Sequence, residues 1–117
     1  MNEATTIRGL VIKIEQEVRG GNLTPIRVAE LIAMLSSLIG NCNEAIRKRE
    51  MDYKRFLRAC YDRETKANRA KIVAETSQEY EELQEAKDTK ESVIEMMSSL
   101  KYLQRAVSDE MKFSGNQ

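Results

Sequence analysis

The sequence predicts an all-α fold: a long antiparallel helical hairpin with one or two shorter N-terminal helices, packed like a bundle or coiled coil. Three observations carry this. Apolar residues recur at three- and four-residue intervals along most of the 117-residue chain, the period of one helix face. Only 5% of residues are aromatic, and a single proline and five glycines interrupt the pattern, so there are no runs from which to build a sheet. Charged residues reach 32% and fall into blocks of opposite sign in the second half, as flanking positions of paired helices do.

The elements follow in order. Ile7, Leu10, Val11, Ile14 and Val18 make one stripe, predicting a helix over about 3–19. Gly20-Gly21-Asn22 stops it, because glycine accepts the left-handed conformation that ends helices. Thr24 can cap the next helix and Pro25 suits its first position, predicting a helix over about 25–39. Two seven-residue series run through it: Val28, Leu35 and Cys42, and Ile32, Ile39, Ile46, Tyr53 and Cys60. A stripe this wide needs partners on more than one side. Val28, Leu31, Ile32, Leu35, Leu38 and Ile39 are therefore expected to mediate self-association.

Gly40-Asn41, with Glu44 three residues on, offers a break before a third helix over about 42–72. Continuity of the second and third helices is the open alternative. Thr76-Ser77-Gln78-Glu79 reads as a capping box opening a last helix over about 77–112, ahead of a polar end at 114–117. A turn near Ala74 would set residues 75–95 beside residues 53–73. The first block has two basic and eight acidic side chains, the second seven basic and two acidic, so this register pairs opposite charges. A two-helix distal half buries little surface, which again favours a dimer or higher oligomer of a single 1–117 domain.

For function, the absences decide most. With no histidine, the common zinc sites, the Ser-His and Cys-His nucleophile pairs and the Glu-x-x-His motif of di-iron bundles are excluded. No glycine-rich phosphate loop occurs, since Gly20-Gly21 follows a helix and lacks the lysine and hydroxyl. The chain is read as non-enzymatic, with no cofactor and no metal. Cys42 and Cys60 lie eighteen residues apart, about 27 Å on one helix, beyond a disulfide within the chain. Buried thiols are the simple reading and an intermolecular bridge the sharper one.

The densest chemical signal is the basic stretch 47–71. Arg47, Lys48, Arg49, Lys54, Arg55 and Arg58 interleave with Tyr53 and Phe56, a pattern able to follow phosphates or an acidic partner. In the register above, the Arg47-Lys48-Arg49 triplet lies outside the acid-matched region and is the least neutralised part. The formal net charge of zero argues mildly against a dedicated nucleic-acid binder. No apolar stretch approaches the roughly 18 residues of a membrane span and no leader is evident, so no membrane partner is expected and the cytoplasm is the expected compartment.

The run Glu79-Tyr80-Glu81-Glu82, Ala86-Lys87, Ser92-Val93-Ile94, Ser99 to Arg105 and Asp109-Glu110 resembles the C-terminal helix of small all-helical accessory proteins of bacteriophages and prophages. It covers about a third of the chain and matches no defined functional residue. The resemblance implies a viral or mobile-element origin, a host cytoplasm as location, and a binding role such as a replication or recombination accessory factor or an inhibitor of host defence. The leading expectation is thus an oligomeric protein that binds an unknown protein partner. The alternative is a DNA- or RNA-associated factor using the basic stretch.

Overall fold

The computed structural model describes the backbone of residues 3–115 and the side chains of residues 6–109. Four helices follow in order: α1 (Glu3–Arg19), α2 (Pro25–Arg63), α3 (Ala67–Glu75) and α4 (Gln78–Gly115). They form a rod of 76 × 25 × 21 Å. The all-α class and the long hairpin expected from the sequence are present, and no strand occurs among the described residues.

α1 ends at the glycines. The Gly20 N–H donates to the Gln16 carbonyl at 3.1 Å, and Gly21 takes φ of +77°, where a side chain would be strained. Thr24 caps α2, its hydroxyl oxygen accepting from the Arg27 N–H at 3.1 Å, with Pro25 in the first turn. α2 then continues through Gly40 as one helix. Val28, Leu31, Leu35, Leu38, Cys42 and Ala45 keep alternating three- and four-residue spacing across that point. Packing on both sides of Gly40 therefore holds it helical, and Asn41 is not used as a cap.

The chain reverses at Glu64-Thr65-Lys66, not near Ala74. Cys60 packs against Ala70 and Ala74, with Tyr53, Phe56 and Leu57 alongside. Tyr53 meets Tyr80 with ring centroids 5.4 Å apart, and Arg49 meets Glu82 at 2.8 Å. α3 and α4 thus follow one another down the same side of α2. The helix expected over 42–72 is accordingly split, and its last residues belong to the returning arm. Thr76-Ser77 is a junction between successive helices. The Thr76 hydroxyl donates to the Ile72 and Val73 carbonyls, closing α3, while the Ser77 hydroxyl oxygen accepts from the Tyr80 N–H at 3.2 Å and opens α4. Ser77 is the cap, and Glu79 makes no return bond to it. α4 runs on to Gly115, beyond the expected end at 112. Asn116 and Gln117 lie outside the described residues, as does the Met111 side chain.

α1 lies along α2 and α4. Arg8 reaches Glu85 at 3.5 Å near one end, and Glu17 holds Arg27 at 2.6 and 2.9 Å at the other. Ile7, Val11 and Ile14 close over Val28, Leu31, Leu35, Cys42, Val93, Met97 and Leu100. Leu31, Leu35 and Leu100 are fully buried, each contributing about 2 kcal/mol by removal from water. The partners that the wide α2 stripe requires are thus α1 and α4 of the same chain.

By length and composition α2 does pass as a membrane-crossing helix, with an 18-residue window of mean hydropathy 1.2. This corrects the expectation that no stretch approaches that length. In this fold the Val28, Leu31 and Leu35 of that helix belong to the intramolecular core.

A candidate binding face on the outer side of α2

The register sorts the basic residues into two groups. Arg49 points into the seam between α2 and α4, with its side chain 21% exposed, paired to Glu82 at 2.8 Å and to Asp52 at 3.7 Å. It is the best neutralised cation of the stretch, and the expectation that Arg47-Lys48-Arg49 is least neutralised fails for it. The turn at 64–66 brings the acidic start of α4 opposite residues near Arg49, not opposite 53–73.

Arg47, Lys48, Lys54, Arg55 and Arg58 lie on the other side of α2, all exposed. Arg47, Met51, Lys54 and Arg58 are spaced four, three and four residues apart, so they share one face. Lys48 and Arg55, seven apart, form the adjoining row. Among the described residues none of these five cations has a carboxylate within ion-pairing range. Exposed acids bracket the face at Glu44 and Asp62, while Glu50 and Asp52 are half-buried at its flanks. The five span twelve residues, about 17 Å of helix from the first to the last. Met51, 51% exposed, sits in their midst, and Tyr61 at the far end is 45% exposed.

The aromatics read as interleaved partners turn away from this face. Tyr53 is half-buried against Tyr80, and burial, with Glu75 adding to it, pushes its hydroxyl above the ordinary value. Phe56 packs beside Cys60. The six residues expected to self-associate are placed in the core region: Val28, Leu31 and Leu35 are buried, and Ile32, Leu38 and Ile39 pack against them. Both cysteines are buried and free, and burial raises the Cys42 thiol above its usual range.

The outward side of α4 carries the opposite sign. Glu81, Asp88, Glu91 and Glu95 are exposed there, without an ion-pair partner among the described residues. The zero net charge of the sequence thus hides a basic surface on α2 and an acidic one on α4. Sequence reasoning put Arg49 in one group with the five exposed cations and missed Glu82 as its partner. The helical spacing of 47, 51, 54 and 58 was the available signal that separates Arg49 from them.

Among the described residues no group of three metal-ligating side chains occurs, and every buried side-chain polar atom is hydrogen-bonded. Comparison with known proteins gives no match to any family model, any curated protein or any solved structure.

Proposed function

We propose that this chain is a non-enzymatic binding protein that holds a polyanionic partner on the outward face of α2. The observation that supports it is five exposed, unpaired cations on one face of a continuous helix, backed by a packed hairpin. Such a face attracts negative charge and is already ordered before binding, so little entropy is lost in forming it. The protein partner expected from the sequence becomes, in this reading, one with an acidic surface, and the nucleic-acid alternative uses the same residues. An accessory role of the kind implied by the α4 resemblance fits a chain without histidine.

Retention on a sulfated-polysaccharide resin under rising salt tests the reading. The Arg47→Gln, Lys48→Gln, Arg55→Gln variant is expected to elute at clearly lower salt than the parent, with unchanged helicity by circular dichroism. Equal elution of the two proteins would remove the outward face of α2 from the function.

A further inference from the structure

We infer that the polyanion is a nucleic-acid duplex, gripped by its phosphates. This rests on the polyanion reading above and names its partner.

The first argument is what the face lacks. Proteins that hold single strands combine cations with aromatic side chains on which successive bases stack. Here Tyr53 is turned to Tyr80 and Phe56 into the α2–α3 seam. On this face Tyr61 is the one exposed aromatic among the described residues, at one end beyond Arg58. One ring at a margin can meet one base but cannot order a strand along the face. Nor does any Asn or Gln occur between Glu44 and Tyr61, the side chains that pair with adenine in the major groove.

The second argument is rigidity and spacing. α2 is unbroken from Pro25 to Arg63, so its cations form a straight array about 17 Å long. A duplex carries one negative charge per about 1.7 Å of axis, hence about ten phosphates within that length. Five flexible cations can therefore all find phosphates on a surface that is itself already ordered. A single strand would first have to be straightened, and nothing on this face would offset that cost. An acidic protein presents a sparser set of carboxylates on its own surface pattern, and Met51 and Tyr61, ten residues apart on this face, form no contiguous apolar cluster to fix one.

Fluorescence anisotropy with labelled probes decides the matter. The probes are a duplex of about two helical turns, one of its strands alone, and an acidic peptide, each across a salt series. The duplex is expected to bind most tightly, with a log–log salt slope of about −4.5 for five phosphate contacts. Lys54→Gln with Arg58→Gln should flatten that slope by about 2 and weaken binding by about tenfold or more. Tyr61→Ala should leave duplex affinity unchanged. The parent protein and both variants are checked for helicity and melting temperature, and the substituted side chains are exposed.

Equal or tighter binding of the single strand, or loss of binding in Tyr61→Ala, overturns the duplex inference and leaves the polyanion reading standing. Preference for the acidic peptide does the same. A duplex slope of magnitude near 1 also overturns it. Failure to bind any of the probes, together with no retention on the resin, brings down both.

Discussion

Arg49 occupies a seam position where paired helices ordinarily bury an apolar side chain. Its pairing with Glu82, 27% exposed, and with Asp52 ties α2 to one register of α4, since slipping either helix by a turn would strand a half-buried charge. Arg49→Ala is expected to lower the unfolding free energy by about 1–2 kcal/mol. Replacing both Arg49 and Glu82 by leucine should restore or exceed parental stability. Urea denaturation of the three proteins checks this. Glu17 gives a second prediction at this scale. Its hydrogen bonds from Arg27 hold its carboxyl below the ordinary value of 4.5. The folded state thus favours the ionised form. Its contribution is present above the ordinary value and is lost as pH falls through the lowered one. Amide protection factors in α1 should fall across that acid range in the parent, and Glu17→Gln should be less protected at neutral pH with a flatter acid dependence.

Among the elements, α2 is the one whose continuity matters most, because it carries both the core stripe and the proposed binding face. Gly40 is its weakest point by propensity. An added Cβ there would meet nothing within 4 Å, and the glycine is not at positive φ. Gly40→Ala is therefore expected to stabilise the protein by about 0.5–1 kcal/mol, read as a raised denaturation midpoint with unchanged slope. A break at Gly40 in solution would make the same substitution destabilising or alter the slope. The helix starts at Pro25 and the glycine stop at 20–21 were legible because each carries its own chemistry: a cap, a proline, a residue at positive φ. The hairpin turn was not. Glu64-Thr65-Lys66 contains neither glycine nor proline, and the reversal is fixed by Ala70 and Ala74 nesting against Cys60. The strong cap at Ser77 drew the turn to the wrong place, since a cap marks a helix start and says nothing of direction. That error of register carried over to the site. It paired the basic stretch with acids that in fact lie farther along the rod, and so hid which cations are free.

At the scale of the whole molecule, the rod has a three-helix half, where α1 completes the core, and a slimmer half ending in α3. The proposed binding face lies on the slimmer half, and the exposed acids of α4 lie on a different helix. A protein with cations on every side would neutralise a duplex, cross-link neighbouring duplexes and precipitate them. This one has a formal net charge of zero. With α2 laid on the phosphates, Glu81, Asp88, Glu91 and Glu95 face the solvent, and the coated duplex remains a polyanion at full occupancy. Light scattering from a saturated duplex should accordingly stay at the level of separate particles at low salt, where a basic peptide of equal length condenses the same DNA. Turbidity at saturation would mean that a second cationic surface exists elsewhere on the rod. Under the duplex proposal, this charge layout makes the protein a sleeve on nucleic acid, adding bulk and a new surface without changing the sign of what it covers.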